Sequence, residues 1–511
     1  MTKRSVLPLL ILSGFFAPPP GAADLRSAVE SYVERNQRRI VAELVELLSI
    51  PNVAADRENI ARNAEYLRRM LEKRGFAAEI LPTAGNPLVY GEIRTPGASR
   101  TLIFYAHYDG QPVDRSGWKQ ADPFRPVMRA GRLEDGAREI PDFLRLDRYE
   151  SDWRLYGRSA SDDKSPIVAL CAALDAVREA GLRPGGNIRV VLDGEEEAGS
   201  QSITAAIDRY REKFRADTLL ILDGPVHPSG RPTLNFGARG IVTLELTVYG
   251  PKQALHSGHY GNWVPNPALR LAQLLSSMKD ERGRVVVEGF YDGIPPLSTE
   301  ERRLLLAVPD DEQELRRLFG FAEADAVAAT LQEALQYPSL NIRGLRSAYV
   351  GGEARTIIPP EATAALDIRL VKETPGNELA DKVLAHIRRQ GYHIVDREPD
   401  DAARARYPKI VRVQRSRPTE AYRTEMHLPE SRAVIRALQA AWGAEPVCIR
   451  TSGGTVPISQ FIKALDFPAV SVPTVNFDNN QHGENENLRL GHFYRAVVTM
   501  AALLTMELPE H

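Results

Sequence analysis

Histidines and carboxylates stand at the ends of apolar runs in this chain. The run 101–106 leads into His107-Tyr108-Asp109, the run 187–192 into Asp193-Gly194-Glu195-Glu196-Glu197, and the run 218–222 into Asp223. Ser161-Asp162-Asp163-Lys164 precedes a helical stretch, and Asn480-Gln481-His482-Gly483-Glu484-Asn485-Glu486 follows the strand-like segment 467–472. Open α/β sheets carry their ligands outside the carboxyl ends of the strands. Imidazole and carboxylate donors without thiols suit Zn²⁺, Mn²⁺ or Co²⁺ at a hydrolytic centre. A carboxylate also has two oxygens with which to bridge a pair of cations. Each piece alone has an ordinary explanation: a loop histidine, an aspartate pair capping a helix, a glutamate run facing solvent. Their joint placement at strand ends points to a metal centre.

Periodicity shows the elements that must position these groups. Apolar residues at helical spacing (Val29, Val33, Ile40, Leu44, Leu48) predict a helix over 25–48, stopped by Pro51. Helices follow over 61–74 and 165–180, with extended runs at 88–94, 101–106, 187–192 and 218–222. Helices alternating with near-continuous apolar strands imply a mostly parallel sheet covered on both faces. The texture changes at about Arg239. Segments 241–249 and 363–371 alternate apolar with polar residues, and 265–278 and 377–390 read as helices, so a smaller sheet with helices on one face is expected. Residues 280–337 form a charged insertion, helical in part. Helix 429–442, strand 467–472 and helix 488–507 return to the first pattern. The expected fold class is α/β: a catalytic domain in two parts, 24–237 and 416–511, interrupted by a smaller α+β lid or dimerisation domain, 238–415.

His107-x-Asp109, Gly157-Arg-Ser-Ala-Ser-Asp162-Asp163-Lys164, Gly194-Glu-Glu196-Glu197-Ala-Gly199-Ser200, Asp223 and His482 together resemble the M20 metallopeptidases, which include carnosinase-like dipeptidases, glutamate carboxypeptidases and deacylases. The likeness spans roughly residues 40–503. Leu255-His256-Ser257-Gly258 and the stretch from Val287 to Asp292 resemble the carnosinase-like branch. The resemblance implies a zinc-peptidase-like catalytic domain with two divalent metal ions, zinc foremost, with manganese or cobalt as alternatives. Asp162 would bridge them, His107 and Asp223 would complete one site, and Glu197 and His482 the other. Glu196 would be the general base, and Asp109 would orient the His107 imidazole. The Asp162–Asp163 peptide would be cis. In a run of three glutamates the register rests on Ala198-Gly199-Ser200, which leaves Glu195 at a variable position.

By the same resemblance, His256 would reach into a partner subunit's site and stabilise a developing oxyanion, which implies a homodimer formed through the inserted domain. Thr356 and Arg369 would lie in the lid segment that clamps a substrate carboxylate, and Ser452-Gly453-Gly454-Thr455 would form a loop receiving it. The chain also departs from the pattern. Pro360 stands where animal carnosinases carry a further arginine, Gly157-Arg-Ser-Ala lacks the usual second glycine, and His427 is left without a role.

Composition narrows the alternatives. A chain of 511 residues exceeds one ordinary core. Lys+Arg at 65 against Asp+Glu at 67 gives no electrostatic drive toward nucleic acid or anionic membrane. Two cysteines, Cys171 and Cys448, exclude a thiolate zinc site and leave their pairing open. A basic start, a short apolar run and the small residues 21–23 predict a cleaved secretory leader over 1–23, hence a periplasmic or secreted enzyme without a membrane anchor. The expected substrate is a dipeptide or short peptide with a free carboxylate. An N-acyl amino-acid amidohydrolase is the alternative, and an inactive binding protein on the same scaffold a remoter one.

Overall fold

Four consecutive apolar residues can lie in one strand only if both faces of that strand are covered. In the computed structural model, which describes residues 22–509, Leu102, Ile103, Phe104 and Tyr105 are all buried in the strand Thr101–His107. Leu102 and Phe104 join a core with the helices Ala22–Leu48, Lys164–Glu179 and Leu490–Thr505. Ile103 and Tyr105 face Ile203, Ile207 and Phe214 of the helix Gln201–Phe214, with Phe461 of Ser459–Leu465. Burying one large apolar side chain is worth about 1.5–3 kcal/mol, so this strand is held from both sides. The predicted leader lies outside the described residues, apart from Ala22 and Ala23 at the start of the first helix.

The main sheet has eight strands in the spatial order Ala77–Leu81, Leu88–Ile93, Asn187–Asp193, Thr101–His107, Thr218–Ile221, Ala469–Ser471, Thr233–Asn235 and Val447–Ile449. Thr101–His107 runs parallel to both neighbours, and Thr218–Ile221 runs parallel to Ala469–Ser471. Antiparallel pairing enters at Ala77–Leu81 with Leu88–Ile93, at Leu88–Ile93 with Asn187–Asp193, and at the single bridge Ser471↔Asn235. Val447–Ile449 pairs parallel with Thr233–Asn235 at one edge, so the sheet is mixed, with three consecutive parallel pairings in its middle.

A second sheet of five strands runs in the order Ser339–Arg346, Glu361–Leu370, Gly240–Tyr249, Ile410–Arg415, His393–Val395. Val242, Leu244, Leu246 and Val248 pack with Leu366, Ile368 and Leu370 against the helices Pro267–Ser276 and Gly376–Arg389. Side chains alternate along a strand, so Asp367 and Arg369 belong to the opposite face. The charged insertion forms the helices Thr299–Leu306, Glu312–Phe319 and Leu331–Ala334. This segment docks on loops of the main sheet: His227 Nε2 lies 3.0 Å from Asp310 Oδ1, and Arg450 Nη1 donates to Gln336 Oε1 at 2.6 Å. Cys171 and Cys448 are both free thiols. Among the described residues no helix is long and apolar enough to cross a membrane.

Candidate metal centre

His107 is the last residue of its strand and pairs in register with Asp193, the last residue of the parallel neighbour. That register brings the loop after His107 against the glutamate loop. The Asp193 carboxylate then shapes the glutamate loop. It accepts from Ser200 Oγ at 2.7 Å, Glu195 N at 3.0 Å and the Tyr105 hydroxyl at 3.1 Å. The third loop, ahead of the helix Lys164–Glu179, contains the Asp162–Asp163 peptide, which is cis. The fully buried Lys164 ammonium anchors it, donating to the carbonyls of Leu47 and Ile50 at 2.9 Å each.

Asp162 sits between two histidines. Its Oδ1 lies 2.9 Å from His107 Nε2, and its Oδ2 lies 3.0 Å from His482 Nε2. His482 Nε2 is also 3.4 Å from Glu197 Oε2. Donor atoms of His107, Asp162 and Asp223 lie within 4.8 Å of one another, and so do those of Asp162, Glu197 and His482. Two three-residue sets thus share one aspartate, each oxygen facing a different set.

Asp109 ties two of these loops together. Its backbone oxygen and Oδ1 lie 3.2 and 3.3 Å from His107 Nδ1, which leaves Nε2 turned toward Asp162. Its two carboxylate oxygens also accept the backbone N–H groups of Glu196 and Glu197 at 3.0 Å each. The three adjacent glutamates diverge. Glu195 Oε2 accepts the Asn86 N–H at 3.3 Å, Glu196 Oε2 lies 4.0 Å from His107 Nε2, and Glu197 accepts from Gln111 Nε2 at 2.6 Å.

The electrostatics suit cations. Burial, reinforced by neighbouring carboxylates, pushes Asp223 up to about 6 and Glu197 up to about 7, and drives Glu196 well above the usual range. The hydrogen bond to Asp162 raises His482 to about 9. Burial works against a charged His107, yet Glu196, Asp109 and Asp162 lift it well above the usual histidine value. Carboxylates packed this closely repel one another, and bound divalent cations offset that repulsion. The hard oxygen and imidazole donors and the divided Asp162 carboxylate fit a pair of such ions.

The remaining predicted residues fall into two groups. Arg369 and Thr455 meet, Arg369 Nη1 donating to Thr455 Oγ1 at 2.8 Å. Ser452 is held in the same loop by its N–H to Gly237 O at 2.8 Å, and Gly453 and Gly454 are exposed beside it. His256 and Thr356 belong elsewhere, on an exposed ribbon where Leu255–His256 pairs with Ile357–Ile358 and Ser257 N–H reaches Thr356 O. The His256 ring lies tilted against that of His259, with centroids 4.5 Å apart, and His256 belongs to neither ligand set of its own chain. Sequence reasoning missed Gln111 and Arg239. Arg239 is buried near Arg369 and donates to Tyr337 O at 2.7 Å. Burial and Arg369 lower its guanidinium to about 10, which leaves it cationic at neutral pH. Neither residue lies in a recognisable motif; only folding brings Gln111 to Glu197 and Arg239 beside Arg369.

An α/β sheet whose strand ends gather two imidazole–carboxylate sets on one shared aspartate defines a metallohydrolase. The model of Peptidase family M20/M25/M40 matches residues 103–506, and the chain belongs to that family. It is 26% identical to the Beta-Ala-His dipeptidase of Homo sapiens over 519 aligned positions, covering 98% of this chain and 96% of that protein. It is 25% identical to the Cys-Gly metallodipeptidase of Candida albicans over 494 positions, covering 92% and 95%. Among solved structures, an M20 family metallo-carboxypeptidase from Sulfolobus solfataricus superposes with a TM-score of 0.73 at 30% identity, covering 91% of this chain and 98% of that one.

Proposed function

We propose that the protein hydrolyses the amide bond of dipeptides or short peptides that end in a free carboxylate, at a centre holding two divalent ions, zinc foremost and manganese or cobalt as alternatives. One observation carries this reading: the Asp162 oxygens, at 2.9 and 3.0 Å, face histidines of two different sets. Two ions held by His107, Asp162 and Asp223, and by Asp162, Glu197 and His482, would polarise the scissile carbonyl and acidify the attacking water. Glu196 is in neither set and is the general base: it takes the water's proton and passes it to the leaving amine. Asp109 keeps the His107 ring oriented and holds Glu196 and Glu197 through their backbone N–H groups. Arg369, already hydrogen-bonded to Thr455, offers a guanidinium fork to the substrate carboxylate, with Ser452, Gly453 and Gly454 lining the same loop.

The test is turnover by the metal-loaded protein of dipeptides, their C-terminal amides and N-acetyl amino acids. Dipeptides are expected to be cleaved. Amidation should lower kcat/KM by about 10–150-fold, since hydrogen bonds to charged groups contribute about 1.5–3 kcal/mol. Faster turnover of N-acetyl amino acids would make the protein a deacylase, and no amide cleavage across the panel would overturn the proposal.

The inserted segment supports a homodimer. Its edge strand and the turn beyond it expose Leu345, Tyr349 and Val350, and Trp263 is 80% exposed near His256. In that dimer His256 would serve the partner's centre and stabilise the oxyanion. His256→Ala is then expected to depress kcat more than it raises KM. Mixing it with Glu196→Gln protein, after subunit exchange, should recover activity, because one site of each mixed dimer is intact. A fully active monomer, or no recovery in mixtures whose subunits have exchanged, would sink the exchange. The basic, apolar and small-residue order of residues 1–23 supports export and cleavage. The exported protein should begin near Asp24 on N-terminal sequencing, and an intact N-terminus would count against it.

A further inference from the structure

The loop that presents Asp162 and the loop that presents His482 converge on a single carboxylate. Glu486 is fully buried, and its two oxygens receive five hydrogen bonds. Oε1 accepts Ser161 N–H at 3.0 Å, the Ser161 hydroxyl at 2.9 Å and Asp162 N–H at 3.0 Å. Oε2 accepts Ser159 N–H at 2.9 Å and Arg158 Nη1 at 2.8 Å. Every partner is a donor, which is what an acceptor-only carboxylate requires. The Glu486 backbone is pinned as well, since its carbonyl accepts Gly157 N–H at 3.0 Å and Asn487 pairs with Tyr156 in a small sheet.

His482, four residues earlier, has weaker support of its own. Its side chain is 55% exposed, and Asn480, His482 and Asn485 all have left-handed backbone conformations. Such conformations cost about 1–3 kcal/mol each and persist where surrounding contacts impose them. Asp162, by contrast, must keep each oxygen aimed at a different histidine. Metal ligands need their supporting partners to hold position, and losing one typically weakens metal binding about 10–100-fold.

We infer that Glu486 is a positioning residue for the metal centre, fixing the Asp162 loop against the His482 loop and so setting the spacing of the two ligand sets. It acts through the backbone of Asp162 and the short connection to His482. The inference rests on the reading of Asp162 and His482 as ligands. Glu486→Gln retains the shape but presents an NH₂ group where the backbone N–H groups and the Arg158 guanidinium cannot accept it. It also removes the charge facing Arg158.

The experiment is Zn²⁺ titration in competition with a chromogenic chelator, with folding checked by circular dichroism and thermal melting. Glu43→Gln is the control: it disrupts another, partly buried ion pair, Glu43 with Arg74 at 2.8 Å, neither member of which belongs to a ligand set. Folded Glu486→Gln should bind Zn²⁺ about 10–100-fold more weakly, whereas Glu43→Gln should melt earlier with unchanged affinity. Wild-type affinity in folded Glu486→Gln would overturn the inference. If that variant fails to fold, Ser161→Ala decides: it removes one donor and should weaken Zn²⁺ binding several-fold, and unchanged affinity would count against the inference. A wild-type chain that takes up no Zn²⁺, Mn²⁺ or Co²⁺ would overturn the metal reading itself and this inference with it, an outcome distinct from a variant that binds normally.

Discussion

Glutamine in place of Glu196 is expected to lower kcat by about 10²–10⁴-fold, the usual contribution of a positioned general base, while metal uptake stays close to wild type. The expectation rests on how the two glutamates differ in the loop. Glu197 meets His482 and Gln111, whereas Glu196 belongs to neither three-residue set. The hydrogen bonds from residues 196 and 197 to Asp109 use backbone N–H groups, so the substitution leaves them in place. An amide of the same shape then loses only the capacity to carry a proton. The measurements are kcat at saturating metal and the number of ions bound per chain. Retained turnover would remove Glu196 from proton transfer. Glu195 would be a poor replacement, because its carboxylate accepts the Asn86 N–H.

Asp162→Asn should have the broadest effect on metal. Removing an outer partner of a ligand typically costs about 10–100-fold in affinity, and this change strikes the one residue common to both candidate ligand sets. Asparagine keeps one carbonyl oxygen but turns an NH₂ group toward the His107 or the His482 set and removes the negative charge that the two ions would share. Both ions should therefore be lost together, with activity falling to background. His482→Ala and Asp223→Ala each remove a ligand from one set only and should leave one ion bound more tightly than in Asp162→Asn. Elemental analysis after dialysis reads the stoichiometry. An Asp162→Asn protein that still holds two ions would break the bridged arrangement.

Much of the scaffold was legible because burial on both faces leaves a strong local trace. The strand ending at His107 and the helix Pro429–Trp442, with proline at its first position, stand within a residue of where periodicity puts them. The strand Ser339–Arg346 was not legible. It is an edge strand exposed from Asn341 onward, and its alternation, Leu340 then Ile342, is cut short by the bulge near Gly344. Ala77–Leu81 was also missed, as a short strand with only Leu81 fully buried.

The site divides along the same line. From residue order and composition alone came the donors after each apolar run, the absence of a thiolate site, and a motif pattern specific enough to indicate a family. Those are properties of neighbours in the chain, and periodicity and residue chemistry act locally. The family resemblance already implied Glu197 beside His482 and a shared Asp162; only folding shows the contacts that realise this, and that Asp109 and Glu486 each hold separate loops together. Each depends on strand register and loop closure between segments as far apart as residues 107 and 482. Such contacts leave no periodic mark on either segment, so no local pattern encodes them.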